Sequence, residues 1–280
     1  MSGDDSAFSW SDAEKDLMGE IDTSVPVSAR IWNYWLGGKD YYAVDKAAGD
    51  QFATLFPGVF DLARATRYYI ARAVRYLAGE AGIRQFLDIG TGLPSHDNTH
   101  EIAQSVAPDS RIVYVDNDPL VLAHARALLT SSPPGTTDYI DADLNNPASI
   151  LAVAREKLDF TRPVAIMLMG ILGHIGDPGE DDDRYTRSIV DELKAALPSG
   201  GYLALCEATD ANPQQNQAAE QYNQSGADPY HLRRPEQIVR FFDGLEVVEP
   251  GVVPIQEWRP DPSPFGATAV PALGGVARKP

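Results

Sequence analysis

Residues 87–94 read LDIGTGLP, and this stretch decides the fold of the chain. An apolar strand that starts near Arg84 runs directly into a turn at Gly90 and Gly92, and a helical pattern follows. Glycines at such a place permit a tight turn and let the backbone approach a bound ligand closely. The stretch therefore predicts the first strand–turn–helix unit of an α/β domain that binds a ligand.

A second strand, residues 111–116, ends in Asp116, which lies 26 positions after Gly90. In a βαβ unit this spacing puts a carboxylate beside the glycine turn, where it can accept hydrogen bonds from a ribose diol. The order of strand, turn, helix, strand and terminal acid favours a ligand that contains a nucleoside. The alternative is a ligand-free turn with an incidental acid.

The glycine turn differs from that of most dinucleotide sites, which carry a third glycine for close packing of the helix on the strand. Residues 93–95, Leu-Pro-Ser, stand at that place, and the strand ends with an acid, Asp88. An anion suits a pyrophosphate poorly. It suits a ligand with a cationic amine and a sulfonium, because opposite charges lower each other's cost of burial. The turn thus favours S-adenosylmethionine over NAD, and an NAD-dependent oxidoreductase stays as an alternative.

Apolar strands and helical patterns alternate along most of the chain. This alternation predicts βαβ crossovers and a parallel sheet, and strands that are apolar throughout are expected when helices cover both faces. We therefore predict an α/β fold, namely a Rossmann-like, seven-stranded, mostly parallel sheet with helices on both faces, an antiparallel last strand and an N-terminal helical extension. The predicted strands are 84–90, 111–116, 138–142, 163–169, 201–207, 245–249 and 269–277, and the predicted helices are 29–36, 43–55, 62–77, 98–106, 119–129, 147–157, 184–196 and 235–242.

Composition limits the kinds of partner. The formal net charge is −17, and a surface that acidic repels phosphate groups, so we predict neither a nucleic-acid nor a membrane partner. The sequence has one cysteine, Cys206, which excludes a disulfide framework or a cysteine-rich metal site within one chain. No apolar run approaches the length of a membrane span, and the N-terminus lacks a signal-peptide pattern, so the predicted location is the cytoplasm. The oligomeric state is left open.

Acids also follow the third strand, in the run DADL at residues 141–144. In this architecture the end of the third strand lies near the adenine, and a carboxylate there can accept the exocyclic amino hydrogen. The alternative is a cluster that caps the helix starting at Pro147, because Asp and Asn are favoured at that position. Both interpretations stay open, and one residue could serve both.

These stretches resemble the class I S-adenosylmethionine-dependent methyltransferases. More narrowly, the sequence is similar to a bacterial group that was catalogued as a domain of unknown function and later renamed S-adenosyl methyltransferase. The resemblance covers about residue 25 to the C-terminus. It rests on residues 88–94, 113–119 and 141–144, and for the narrower group on LGGKD (36–40), FFDGL (241–245), EPG (249–251) and WRP (258–260).

The resemblance implies an S-adenosylmethionine-dependent methyltransferase, for which we expect a small-molecule acceptor. A regulatory or interaction protein that binds the cofactor without transferring the methyl is the alternative. Charge and periodicity along the sequence divide the chain into a predicted mobile acidic tail (1–24), a helical extension or lid (25–80) and a methyltransferase domain (81–280). The resemblance also implies residue roles: Asp88, Gly90 and Gly92 line the methionine side, Asp116 holds the ribose hydroxyls, Asn117 flanks the adenine, Asp143 and Leu144 bracket its edge, and Met169 and Gly170 lie under the reacting methyl.

The acceptor side has fewer signals, because methyl transfer needs a general base only when the acceptor must first lose a proton. His174 follows the fourth strand, where ligands bind in open α/β sheets, and it is the candidate base. The alternative is a loop histidine bonded to backbone. Glu207 and Thr209, after the fifth strand, are further candidates.

Aromatic residues surround the glycines of the N-terminal extension. Tyr34, Tyr41 and Tyr42 lie close to Gly38 in sequence and could form a lid over the sulfonium through cation–π attraction. Ordinary helix packing is the alternative. The acidic run at residues 180–183 lacks the spacing of a calcium loop, so we predict a solvated loop and helix start there, and no metal site.

Overall fold

The computed structural model describes residues 21–94, 97–128, 133–176, 183–262 and 267–280. Of the predicted acidic tail, only residues 21–24 lie within this part of the chain. Of the acidic run at 180–183, only Asp183 does. Among the described residues, no helix combines the length and the hydropathy that crossing a bilayer would require.

The centre of the fold is a sheet whose strands are β1 (Gln85–Ile89), β2 (Arg111–Asp116), β3 (Thr136–Asp141), β4 (Ala165–Met169), β5 (Tyr202–Ala208), β6 (Glu246–Val247), β7 (Val253–Pro254) and β8 (Ala272–Arg278). Their order is β3-β2-β1-β4-β5-β8-β6, with β7 paired to β8. The first five strands are parallel, and β8 is antiparallel to β5. The predicted mostly parallel sheet with an antiparallel last strand is confirmed, and the two-residue β7 brings the strand count to eight instead of seven.

Helices cover both faces of this sheet, as predicted. They are α1 (Ser28–Trp35), α2 (Ala43–Leu55), α3 (Val59–Gly79), α4 (Thr99–Val106), α5 (Pro119–Leu128), α6 (Pro147–Lys157), α7 (Arg184–Ala196), α8 (Pro213–Tyr222) and α9 (Pro235–Arg240), with single 3₁₀ turns at Leu172–His174 and Ile255–Glu257. Side chains alternate along each strand, so Phe86 of β1 packs in the core beneath α3 and α4, whereas Leu87 packs in the core beneath α6, α7 and α9. Each face of the sheet therefore has its own apolar core.

The strand order creates the place for a site. Chain connections leave β1 toward β2 on one side and reach β4 on the other, so the order reverses between β1 and β4. In open α/β sheets, ligands bind in the crevice at this switch point, outside the carboxyl ends of the strands. The turn at Gly90 leads from β1 directly to that crevice.

We call α1, α2 and α3 the helical cover. Helix α3 is fixed on the sheet by the buried Tyr69, whose hydroxyl donates to the carbonyl oxygens of β5 and β8 at Leu205 (3.1 Å) and Gly275 (2.8 Å), one of the two at a time. Helices α1 and α2 pack against each other, and α1 also contacts α3. The predicted N-terminal helical extension is thus present, with α3 starting three residues earlier than predicted.

One helix was missed by the sequence analysis. The Gln- and Asn-rich segment after β5 contains α8, which starts with Pro213 and is capped by Asn212, whose side-chain oxygen accepts from the backbone N–H groups of Gln214 and Gln215. These are standard helix-start signals. The segment shows no clear helical periodicity in sequence, because most of its residues are polar and only a narrow stripe of α8 is buried.

Candidate active site

A cavity of about 470 Å³ lies at the carboxyl edge of the sheet. One side, which we call the sheet edge, consists of the turn after β1, the end of β2, the start of the loop after β3 and the loop after β4. The other side is formed by α1 and α3 of the helical cover and by the loop at Asp228 and Pro229. This volume is within the range of roughly 300–1,000 Å³ that small-molecule sites occupy.

The glycine turn lines this cavity with backbone. Gly90 and Gly92 have φ angles of +72° and +64°, which favour glycine. A Cβ on Gly90 would lie 2.5 Å from Cδ1 of Ile171, so glycine is needed there for packing. A Cβ on Gly92 would meet no atom within 4 Å, so the backbone at Gly92 faces open space.

Asp116 lies beside this turn and is oriented by backbone. Its Oδ2 accepts from the N–H of Gly92 at 2.9 Å, and its Oδ1 accepts from the N–H groups of Asn117 (2.9 Å) and Asp118 (3.0 Å). Burial raises the pKa of Asp116, while the hydrogen bonds from these N–H groups oppose the rise. The sheet edge thus presents a carboxylate in a fixed orientation, and Asn117 lines the cavity next to it.

Asp88 is placed differently from its predicted role, because it is not among the described residues that line the cavity. Its side chain points to the core beneath α4, where it accepts from the Thr99 hydroxyl at 2.6 Å. Burial raises the pKa of Asp88 to about 6, against the opposing effects of Thr99 and the Arg67 guanidinium. Of these two neighbouring residues of β1, Ile89 contributes to the cavity lining and Asp88 does not.

The loop after β3 contributes Asp143 and Leu144, which both line the cavity. Asp143 accepts from the backbone and side-chain N–H groups of Asn145, at 2.8 and 2.9 Å. The cap of α6 is Asn146, which accepts from the N–H of Ser149. Of the two interpretations left open above, helix capping therefore belongs to Asn146 and not to Asp143.

The loop after β4 contributes Met169 and Gly170, which also line the cavity. Gly170 has a φ of +82°, and its N–H donates to the carbonyl oxygen of Cys206 at 2.9 Å. A Cβ on Gly170 would meet nothing within 4 Å. Like Gly92, Gly170 therefore leaves backbone accessible from the cavity.

His174 lines the cavity at the end of the first 3₁₀ turn. Its Nδ1 lies 3.1 Å from the carbonyl oxygen of Pro229, and its Nε2 lies 2.9 Å from the Ser28 hydroxyl of α1. A carbonyl only accepts, so Nδ1 donates to Pro229 and, in the neutral ring, Nε2 accepts from Ser28. Burial lowers the pKa of His174 below its ordinary value of 6.5, which favours this neutral form.

Glu207 and Thr209 are both buried and do not belong to the described cavity lining. Oε1 of Glu207 accepts from the N–H of Leu172 at 2.7 Å, and burial raises the pKa of Glu207 to about 7. Arg233 donates to the carbonyl oxygens of Leu172 (2.7 Å) and Ile175 (2.9 Å). Glu207 and Arg233 thus fix the turn that carries His174.

The predicted aromatic lid lies elsewhere. Tyr34, Tyr41, Tyr42 and Gly38 are all absent from the described cavity lining. The Tyr34 ring packs edge-on against Tyr41, and its hydroxyl bonds to Asp50 of α2. Their packing within the helical cover corresponds to the alternative of ordinary helix packing.

Gly38 nevertheless affects the cavity through Asn33, a buried residue of α1 that lines it. Oδ1 of Asn33 accepts from the N–H of Asp40 at 3.0 Å, and a Cβ on Gly38 would lie 2.5 Å from Cγ of Asn33. The glycine therefore makes room for the Asn33 side chain. Sequence reasoning singled out the glycines and missed the asparagine.

Three charged residues that line the cavity, Arg67, Asp118 and Asp228, were also missed. Arg67 reaches it from α3, where it donates to the carbonyl oxygen of Asp97 at 2.7 Å, and Asp228 reaches it from the loop after α8. Nothing in the local pattern separates Arg67 from the other arginines of α3, because its position depends on how α3 lies across the sheet. Among the described residues, no group of three or more His, Cys, Asp or Glu side chains could hold a metal ion.

Comparisons with known proteins agree with this architecture. The family model described as S-adenosyl methyltransferase matches residues 14–280. A DUF574 family protein from Streptomyces avermitilis is 46% identical, with a TM-score of 0.86 over 92% of this chain and 99% of its own. The "putative methyltransferase" from Thermobifida fusca YX is 41% identical, with a TM-score of 0.82 over 92% of this chain and 96% of its own.

The set of curated proteins contains no match to the sequence. The family match spans nearly the whole chain, including the glycine turn, Asp116 and both loops of the sheet edge. The chain belongs to the S-adenosyl methyltransferase family and is an S-adenosylmethionine-dependent methyltransferase.

Proposed function

We propose that the protein transfers the methyl group of S-adenosylmethionine to a small-molecule acceptor within the cavity between the sheet edge and the helical cover. The observation that carries this proposal is the cavity itself, about 470 Å³ at the switch point of the sheet. A cavity of this size, with α1 and α3 across it, has room for a cofactor and a small acceptor but not for a folded polypeptide.

The residues present fit S-adenosylmethionine. Gly92 and Gly170 leave the backbone open toward the cavity, where a Cβ would occupy ligand space. Asp116 is held by three backbone N–H groups, so its orientation is set before any ligand arrives. A pre-oriented carboxylate suits a ribose diol, because hydrogen bonds to a charged acceptor are strong.

We assign the contacts as follows. Asp116 holds the ribose hydroxyls, Asn117, Asp143 and Leu144 surround the adenine, and Met169 and Gly170 lie near the methyl group. The Arg67 guanidinium suits the methionine carboxylate, since it is the cation that α3 brings to the cavity. Asp88 does not contact the ligand in this assignment. It accepts a hydrogen bond from Thr99 and interacts electrostatically with the Arg67 guanidinium. The bound cofactor supplies a methyl group that is already activated by the sulfonium.

His174 is the residue that we assign as base when the acceptor must lose a proton. Its Nε2 is the accepting atom, because Nδ1 donates to the carbonyl oxygen of Pro229. The Ser28 hydroxyl lies 2.9 Å from Nε2 and Ser28 also lines the cavity, so we propose that an acceptor that donates to Ser28 passes its proton on as the Ser28 proton moves to Nε2. The lowered pKa keeps His174 ready to accept at neutral pH.

Titration calorimetry with S-adenosylmethionine tests the cofactor contacts. Asp116→Ala removes two charge-assisted hydrogen bonds to the ribose, so we expect the dissociation constant to rise about a hundredfold. Asp141→Ala is the matched control, because Asp141 pairs with Asp116 in the sheet but does not line the cavity. Its affinity should equal that of the wild type, and equal loss in both variants, or loss in neither, would contradict the assignment.

Turnover then separates transfer from binding alone. Formation of S-adenosylhomocysteine with a panel of small acceptors is the expected result. A protein that binds the cofactor but turns over no small acceptor would favour the alternative of a regulatory or interaction protein. Titration with NADH is the control for the cofactor, since a dinucleotide lacks the cationic groups that the acids at the site suit.

A further inference from the structure

A second, smaller cavity adjoins the first. It measures about 40 Å³ and lies within the helical cover, between α1, α2, α3 and α8. Ser28 and Trp32 of α1 line both cavities, so the two meet at this pair of residues. A water molecule needs about 10–15 Å³, and the small cavity therefore holds about three water-sized groups.

The walls of the small cavity are apolar and aromatic. They include Ile31, Trp35, Val59 and Leu62, each of which is less than a tenth exposed. None of the described residues that line it carries a charge. A charged group placed there would lose its hydration without gaining an ion partner, so the walls select against ions.

Two polar atoms of the described residues in these walls have no hydrogen-bond partner, Oε1 of Gln215 and the hydroxyl oxygen of Tyr222. Gln215 of α8 lines the small cavity, is 1% exposed, and its Oε1 accepts no hydrogen bond from the described residues. Buried amide oxygens are nearly always hydrogen-bonded, because leaving one unpaired after removing it from water is costly. An unpaired oxygen in a cavity next to the cofactor site is a receptor for a donor on a ligand.

We infer that the small cavity is the specificity subsite for the methyl acceptor, and that it takes a short, uncharged, mainly apolar group that carries one hydrogen-bond donor. This inference rests on the proposed function. The donor bonds to Oε1 of Gln215, the apolar part contacts the aromatic walls, and the remainder of the acceptor extends past Ser28 and Trp32 toward the methyl group. The acceptor is thus selected as a neutral molecule even though the protein is strongly acidic.

Saturation-transfer NMR with small probes tests this subsite. Propan-2-ol is neutral and has a hydroxyl donor, the isopropylammonium ion has the same shape with a positive charge, and acetate has a similar shape with a negative charge. With S-adenosylhomocysteine present, we expect saturation of the propan-2-ol methyl protons and none for either ion. Because the cavities meet at Ser28, nuclear Overhauser contacts between propan-2-ol and S-adenosylhomocysteine are also expected.

Two variants identify the place of binding. Gln215→Met keeps the length of the side chain but removes the acceptor oxygen, and it should weaken propan-2-ol binding about fivefold. Ala208→Leu fills the small cavity from the end of β5 and should abolish binding. Both variants should bind S-adenosylhomocysteine like the wild type, which also shows that they fold.

The outcomes distinguish failure of the proposed function from failure of the subsite. If S-adenosylhomocysteine does not bind to the wild type, the proposed function falls and the acceptor role falls with it. If it binds but propan-2-ol does not, or if acetate or isopropylammonium binds equally well, the subsite is wrong while the cofactor site stands. Unchanged propan-2-ol binding in Gln215→Met would likewise overturn the role of Gln215.

Discussion

At the sheet edge, Asp116 is held by backbone N–H groups of its own turn and of the adjacent glycine turn, whereas in the helical cover Ser28 is held by a side chain from a distant part of the chain. Asp116 is oriented by three backbone N–H groups that lie within one turn of chain or in the adjacent glycine turn. Ser28 is held by His174, 146 positions away, whereas Asn33 is held within its own segment, by the N–H of Asp40 and the space beside Gly38. The cavity is thus positioned by the backbone on one side and in part by a long-range side-chain contact on the other.

This difference matches the two tasks of a methyltransferase. A cofactor that never changes can be bound by turns and strand ends, whose geometry follows from the backbone. An acceptor differs between enzymes, and side chains on a packed helical layer can be exchanged without disturbing the sheet. We therefore expect changes at the sheet edge to alter cofactor affinity, and changes in the helical cover to alter acceptor recognition.

The largest effect is expected where the two sides meet, at His174. His174→Asn retains a donor toward the carbonyl oxygen of Pro229 but offers no base, and kcat should fall about a hundredfold or more for an acceptor that must lose a proton. The affinity for S-adenosylhomocysteine should stay unchanged. The wild-type pH profile should rise through a pKa below 6.5, as expected for the lowered pKa of His174, and this limb should vanish in the variant.

A kcat that is unchanged at all pH values in His174→Asn would show that this histidine only joins the loop to α1. Ser28→Ala gives an independent check, since it removes the hydroxyl that donates to Nε2. Loss of the same pH limb in both variants would support the transfer of the proton through Ser28.

Sequence patterns predicted the sheet edge well because strand and turn residues act locally. The glycine turn, the end of β2 and the loop after β4 follow from the alternation of apolar strands with helices, and the family match shows the fold. The place of Asp88 could not be read in this way. Successive residues of a strand point to opposite faces, and Asp88 shares the face of Phe86, where Thr99 of α4 is its partner.

The helical cover was predicted as helices but not as a lining. The tyrosines beside the glycines were the predicted lining, yet the cover residues that line the cavity include Trp32, Asn33 and Arg67. Which stripe of a helix faces a cavity is set by how the helix lies across its neighbours, and amphipathic periodicity shows only that a buried face exists. Helix α8 was missed for a related reason, because its buried stripe includes the polar Gln215.

A second test concerns the support beneath His174. Burial raises the pKa of Glu207 from 4.5 to about 7. Between these two pH values the carboxyl group is therefore protonated in the folded chain and ionised in the unfolded chain. The resulting stabilisation is present at low pH and is lost as the pH rises from about 4.5 to 7. Glu207→Gln mimics the protonated form, so the free energy of unfolding should fall with pH in the wild type by about 3 kcal/mol more than in the variant.

Urea unfolding of both proteins at pH 5 and pH 8 measures this difference. Parallel pH dependence in the two proteins would show that Glu207 titrates in the folded chain as it does in the unfolded chain.

The smallest effect is expected from a single methyl group in the helical cover, and it separates the two sides of the cavity most directly. Gly38 does not line the cavity, yet Gly38→Ala would push a Cβ into the Asn33 side chain and should lower the free energy of unfolding by about 1–3 kcal/mol. Gly79→Ala is the control, since a Cβ there meets only Val106 at 3.4 Å and a helical alanine should stabilise by about 0.5–1 kcal/mol. If the cover is held by side chains, Gly38→Ala should also weaken binding at the cavity through Asn33, while Gly79→Ala leaves it unchanged. Equal cofactor and acceptor affinities in both variants would mean that Asn33 keeps its place without Gly38.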